Sequence, residues 1–210
     1  MGTVDAIATP PSLIVDIHAP TYEADATFPA GRPPEKVKID PKTEAGLCVS
    51  DWSCSVSVKT TRTKFGLKTL KAEIAEVNVV TKLGIKIWLV ENASVAVLPH
   101  EKTHRAISEH YYARTEIILR KIAAGLGNKK FTIPVKNAEA VLKEAAERIA
   151  ATFRDEFMRQ TQKRCEFAQV RFDAITDHGR NPIKNPVAMT QAIAEEEAHW
   201  EMIGGKITGS

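Results

Sequence analysis

His100-Glu101-Lys102-Thr103-His104 is the stretch on which the reading of this chain turns. It fits HExxH, the helical zinc motif of metallopeptidases. Residues four apart on a helix point the same way, so two imidazoles can share one Zn²⁺. The glutamate lies one residue round the helix from the first histidine. From there it can reach a water on the metal and serve as general base. The chain has six histidines in 210 residues. Chance matches are then on the order of 0.01 to 0.02 per chain for a motif that carries its own mechanism. The match is therefore read as chemistry, with His100 and His104 as zinc ligands and Glu101 as catalytic base.

The flanks fit a helix that follows strands. Pro99 suits a first helical turn, and Gly125 to Gly127 suit a stop, which predicts a helix over about 99–124. At about 100° per residue, Ile107, Tyr111, Ile118 and Ile122 share the stripe of the two histidines, so the histidine face is the buried face. A second helix is expected over about 137–176, on a seam of Leu142, Ala145, Ile149, Phe153, Phe157, Cys165, Ala168, Phe172 and Ile175, with a polar gap near Thr161. A third is expected over 186–203, opened by Asn185-Pro186 and closed by Gly204-Gly205.

Upstream, residues 47–98 are β-branched and partly alternating, as in Cys54–Val58, Ala72–Val79 and Ile85–Leu89. Gly66, Gly84 and Glu91-Asn92 punctuate them, which predicts a small, mostly antiparallel sheet of four or five strands. Residues 1–46 hold Pro10, Pro11, Pro20, Pro29, Pro33, Pro34 and Pro41, seven of the eleven prolines. Fixed φ and missing donors make this an extended arm with at most short edge strands, such as Leu13–Ile17. An arm of that kind beside a hydrolase could also cover its cleft. The expectation is an α+β domain over 47–210, its sheet packed on the HExxH helix and a long second helix.

A zinc site needs a third protein ligand. His110 completes the spacing HExxHxxxxxH, which requires a sharp turn after the second histidine. Position 107 is Ile, a β-branched residue that resists positive φ. On a continuous helix His110 is about 15 Å along the axis from His100 and about 80° off the stripe. The other candidates lie in Phe172-Asp173-Ala174-Ile175-Thr176-Asp177-His178-Gly179, where the second helix must end. Asp173, Asp177 and His178 all offer donors there, and Glu144, Glu147 or Glu156 could supply one from further back. Glu195-Glu196-Glu197 reads as a solvated face, and His199 gives no clear signal.

With these residues assembled, the chain resembles the bacterial "domain of unknown function 922" family, regarded as predicted zinc-dependent proteases. The resemblance covers about residues 45–200. It rests on a β-rich segment leading into a Pro-preceded HExxH helix, a long second helix, and Phe172, Asp173, Thr176, His178 and Gly179 followed by Gln191 and Trp200. Family members tend to have Gly before the second histidine and Tyr before the aspartate, where this chain has Thr103 and Phe172. The resemblance implies a zincin-like fold and a proteolytic role. It also favours His178, which belongs to the family pattern, over His110. The expected ligand set is His100, His104 and His178.

Composition narrows the remaining classes. A net charge of +3 with no long basic run argues against nucleic acid as a partner. No apolar stretch approaches the roughly 18 residues of a membrane span. Met1–Asp5 lacks the basic and apolar regions of a secretory leader, and localisation stays open: periplasmic or secreted for a trimmed chain, otherwise cytoplasmic. Cys48 and Cys54 can be read as a disulfide or as two thiols, and Cys165 as a small buried residue. Two function classes follow. One is a zinc metallopeptidase acting on a peptide or protein. The other is a catalytically silent binding protein with a zinc-stabilised core. Glu101, useless without catalysis, favours the first.

Overall fold

A computed structural model describes residues 11–35, 44–64, 66–126 and 130–203. Two strands dominate: β4 (Gly46–Lys64) and β5 (Thr69–Val90), an antiparallel hairpin. They replace the four or five shorter strands expected over 47–98. Gly66 lies in the turn, its amide bonded to the Thr69 carbonyl at 3.2 Å. Gly84 breaks nothing: it keeps its register opposite Asp51 in mid-strand. At Lys59/Thr60 the register shifts and Ala75 is left over. The buried face of β5 changes phase there, from Ala72 and Ile74 to Val77, Val79, Thr81, Leu83, Ile85 and Ile87. A bulge of one residue is what lets a strand with a broken alternation keep one apolar face inward.

The other edge of β5 is covered end to end by short strands. β1 (Ser12–Ile17), β2 (Thr21–Tyr22) and β3 (Ala26–Phe28) run parallel to it, and β6 (Lys130–Pro134) runs antiparallel. Three of the five pairings among the described residues are thus parallel, which corrects the expected mostly antiparallel sheet. The cause is the arm, which travels along β5 in the same direction instead of folding back on it. β6 was not anticipated, since Phe131-Thr132-Ile133 is too short to show a period.

The arm is part of the fold. Leu13 and Val15 pack on a core of Val77, Val79, Ile118, Phe153 and Phe157. Phe28 is buried, and the Tyr112 hydroxyl donates to the His18 carbonyl at 2.8 Å. Residues 11–35 line no part of the cleft described below; residues 1–10 and 36–43 of the arm lie outside the described residues. Losing the Phe28 side chain alone should cost about 3–5 kcal/mol, against a total of roughly 5–15 kcal/mol for a domain. Deleting residues 1–30 is therefore expected to abolish the cooperative thermal transition followed by circular dichroism. A deletion that melts like the full chain would show that the arm is dispensable.

The described residues form five helices. α1 (Val97–Tyr112) and α2 (Thr115–Leu126) replace the single helix expected over 99–124. The break at Ala113-Arg114 lets Ile107, Tyr111 and Tyr112 enter one core while Ile118, Leu119 and Ile122 enter another. α3 (Ala138–Gln160) and α4 (Gln162–Thr176) divide the expected second helix at Thr161. There the buried Thr161 hydroxyl donates to the Phe157 carbonyl at 2.7 Å. α5 (Asn185–Met202) starts at the predicted Asn-Pro pair; Gly204 and Gly205 lie outside the described residues. Glu196 is not on a solvated face. It is buried, paired through both oxygens with Arg164 at 2.6 and 2.7 Å, and accepts from the Tyr111 hydroxyl at 2.8 Å. This pairing ties α5 to α4 and α1. Of the five, α1, α2 and α3 meet the sheet, and α4 and α5 pack behind them.

All three cysteines are free and buried. Cys48 and Cys54 share the inner face of β4, six residues or roughly 20 Å apart, far beyond disulfide reach. No helix among the described residues is long and apolar enough to cross a membrane.

Candidate metal centre

The HExxH segment occupies the first turns of α1 with its functional face inward. His100 is 5 % exposed, Glu101 5 % and His104 7 %. Buried imidazoles and a buried carboxylate need partners, and α4 brings one. Asp173 Oδ1 lies 2.9 Å from His104 Nε2 and 3.1 Å from His100 Nε2, and the two Nε2 atoms are 3.2 Å apart. Three donor atoms form a small, nearly equilateral triangle. Hydrogen bonding accounts for the two edges that meet at the carboxylate. It leaves two ring nitrogens facing each other, both committed as donors to the same oxygen. A tetrahedral Zn²⁺ with bonds of 2.0–2.1 Å spaces its ligands by about 3.3 Å. The donor set and its spacing fit such an ion. Among the described residues, His100, His104 and Asp173 are the group able to hold a metal.

Aromatic packing holds the triangle in place. Phe172, one residue before the carboxylate, stacks on His100 with centroids 4.8 Å apart and meets His104 edge-on at 5.0 Å. The turn after α4 closes over His100: a Cβ on Gly179, at φ +82°, would lie 3.4 Å from His100 Nδ1. Thr103 Oγ1 donates back to the Pro99 carbonyl at 3.0 Å and so fits within the helix.

Behind the site Ser108, fully buried, joins three elements. Its hydroxyl lies 2.7 Å from Ser50 Oγ of β4, accepts from Gln169 Nε2 of α4 at 2.9 Å, and lies 3.2 Å from the His104 carbonyl of α1.

The electrostatics follow from burial and proximity. For Asp173, burial works to raise the pKa, but hydrogen bonds from His100 and His104 outweigh it and hold the carboxyl well below the usual range. For His104, burial works to lower the pKa, and the Asp173 carboxylate overrides it to raise it. Glu101 is pushed upward, chiefly by burial, against the pull of His104 and His100. Cys48 lines the same cleft, but burial pushes its thiol up to about 12, so it is no thiolate at neutral pH.

The third position of the triangle is filled by Asp173, where His178 was expected. Asp177, His178 and Gly179 all have positive φ, and this left-handed turn carries the His178 ring past the donor atoms. His178 Nδ1 stops 3.9 Å from Asp173 Oδ1, at the lip of the cleft. His110 takes no part. α1 continues through Ile107, as its β-branched side chain predicts, and His110 packs edge-on to Tyr111. Asp177 pairs with Arg180; Glu144, Glu147 and Glu156 pair with Arg148, Lys143 and Arg159. Gln191 bonds Glu195 and Trp200 lies against Arg159 and Arg164, so neither reaches the centre. His199 stacks on Phe167.

The triangle sits in a cleft of about 380 Å³, walled by Glu44–Cys48, the start of α1 and the end of α4. Gly46 sets the fit between β4 and the helix. A Cβ there would lie 2.7 Å from Val97 Cγ1, 2.8 Å from Glu101 Cγ and 2.9 Å from Glu101 Oε1. Gly46→Ala is therefore expected to displace the Glu101 carboxylate while sparing the ligands. The check is a crystal structure of the variant, in which the Glu101 carboxylate is expected to move while the His100, His104 and Asp173 donor atoms stay in place.

Fold and site together bring two histidines and one aspartate into a group that could hold a metal ion, with a buried carboxylate beside it and a cleft leading to it. No protein-family model, no curated protein and no solved structure matches the chain.

Proposed function

We propose that this protein is a zinc-dependent metallopeptidase with a zincin-like fold, in which His100, His104 and Asp173 hold the metal and Glu101 is the general base. The observation that carries this reading is the donor triangle, with edges of 2.9, 3.1 and 3.2 Å, next to a buried glutamate that forms no ion pair with any described residue. Two imidazoles and one carboxylate suit Zn²⁺ with one position left for catalysis. Bound zinc would supply Lewis acidity, polarising a peptide carbonyl and lowering the pKa of water to about 7.

The chain's own residues do the rest. Glu101 takes a proton from the attacking water on a carboxylate oxygen as the new C–O bond forms. It then returns that proton to the leaving amine as the C–N bond breaks. Its place one residue round the helix from His100, facing the cleft, suits it to that shuttle. The Cys48 amide donates to the Glu101 carboxylate and steadies it. Among the described residues no strand covers the outer edge of β4, and Gly46 to Cys48 line the cleft. An extended peptide pairing with that edge would bring its backbone to the metal.

The test is metal analysis followed by digestion. Purified protein should carry about one Zn²⁺ per chain and cleave casein or a quenched peptide library. His100→Ala and His104→Ala should abolish both. Stoichiometric zinc surviving in the double variant would sink the reading. One zinc per chain with no cleavage of any peptide pool would support a zinc-stabilised binding protein instead.

A further inference from the structure

Resting on the hydrolase reading above, we propose that His178 is a further catalytic residue, whose imidazole donates a hydrogen bond to the tetrahedral oxyanion of the attacked peptide carbonyl. The first observation is conformational. Asp177, His178 and Gly179 have φ of +47°, +52° and +82°. A left-handed conformation is free for Gly; for Asp and His it is uncommon, though these two adopt it more readily than most residues. Such a conformation in a non-glycine residue persists only where the surroundings impose it, and it concentrates at functional sites.

Here the surroundings impose it heavily. The His178 amide donates to the Asp173 carbonyl at 3.0 Å, Arg180 N to Asp177 O at 3.1 Å, and Asn181 N to Thr176 O at 2.8 Å. The Asn181 side chain caps the Ile175 carbonyl at 2.9 Å. Gly179 rests against the His100 ring, so the turn is pressed onto the metal ligands. A chain that needed only to leave α4 could do so with Gly at both positions 178 and 179.

The second observation is what the ring does there. It lines the cleft and is about one-third exposed. It makes no hydrogen bond with any described residue. At 3.9 Å from Asp173 Oδ1 it is too far for a hydrogen bond to that carboxylate. Two other long donors on the cleft wall are turned elsewhere. Gln169 gives its amide hydrogens to Ser108 Oγ and Cys165 Sγ, at 2.9 and 3.2 Å. Arg180 is turned to Asp177.

Glu101 comes from α1 under β4 and His178 from the turn after α4, so the two reach the reaction from different walls. A base on one wall and an oxyanion donor on another is what acyl transfer needs. No bond to His178 forms or breaks; it holds its proton and stabilises the charge that develops on oxygen.

The test uses the full chain loaded with one Zn²⁺. Its probes are phenylphosphonate, a tetrahedral oxyanion, and acetohydroxamate, a planar chelator. Three results are expected of His178→Gly. Zinc affinity stays within about threefold of wild type, because a ligand loss would cost far more. The melting temperature does not fall, because Gly relieves the left-handed strain. Phenylphosphonate binding by calorimetry weakens at least about tenfold, acetohydroxamate binding changes little, and kcat on a cleaved peptide falls by about 10²–10³.

Zinc loss as severe as that of Asp173→Asn would make His178 a ligand and overturn the proposal. Unchanged phosphonate binding would overturn it too, as would a lower melting temperature, which would mark a packing role. If the zinc-loaded wild type cleaves nothing while phosphonate binding still depends on His178, the peptidase reading fails and the oxyanion-donor assignment stands.

Discussion

Glu101→Gln is expected to keep its zinc and to lose peptide hydrolysis by about 10²–10⁴-fold, the usual worth of a positioned general base. The substitution changes almost nothing but proton affinity. Glu101 is 5 % exposed and lies close against Gly46, where an amide of the same shape fits. It stands outside the triangle of His100, His104 and Asp173, so metal affinity has no reason to change. An amide oxygen cannot take the proton of water, and the chemical step then lacks its acceptor. Zinc by elemental analysis and kcat by peptide digestion are the two readouts. If zinc leaves with the activity, Glu101 is a ligand or a structural partner of the ligands. If both survive, the base is another group.

Much of this centre could be read from sequence because its parts are local. A helix places His100, Glu101 and His104 by periodicity alone, and Ile107 keeps that helix going past the second histidine, which disposes of His110. The long hairpin was half legible: its alternation showed strands, but Gly66 and Gly84 look alike in sequence. Only pairing partners reveal that one turns the chain and the other sits in mid-strand opposite Asp51. The parallel course of the arm is likewise a tertiary fact. Glu196 misled for the same reason, since its burial depends on Arg164, 32 residues away.

The third ligand shows the limit most clearly. Asp173 and His178 are five residues apart at a helix end that Gly179 correctly announces. Asp173 faces α1 through the rotation of α4 about its axis, and His178 stops short because Asp177 and His178 turn left-handed after it; neither can be read from local spacing. A signal for Asp173 did exist. Gln169 and Asp173 are four apart on α4, and both line the cleft, while Phe172 belongs to the buried seam. Asp173 therefore sits at the boundary between core and cleft, where a ligand belongs.

Asp173→Asn is accordingly expected to lower zinc affinity by about 10²–10³-fold. The magnitude follows from structural zinc sites, where roughly 10–16 kcal/mol is spread over four ligands, or about 3 kcal/mol each. Asn keeps the shape and removes the charge, so the loss reads the ligand and not the packing. His178→Ala should stay near wild type in the same chelator competition. The pH dependence separates the roles further. Asp173 is held ionised far below the usual carboxylate range, so falling pH does not remove metal by protonating it first. His104, with its pKa raised above the ordinary 6.5, is the group that protons claim. Stability that the metal-free cluster draws from protonated His104 is present below the unfolded histidine pKa and is lost as pH rises through the folded value. Zinc binding needs the neutral ring, so affinity should climb over that same interval and level off above it. In Asp173→Asn the carboxylate that raises His104 is gone, and the climb should move to lower pH. A midpoint that stays in place would mean that Asp173 does not act on His104, and the triangle would lose its third corner.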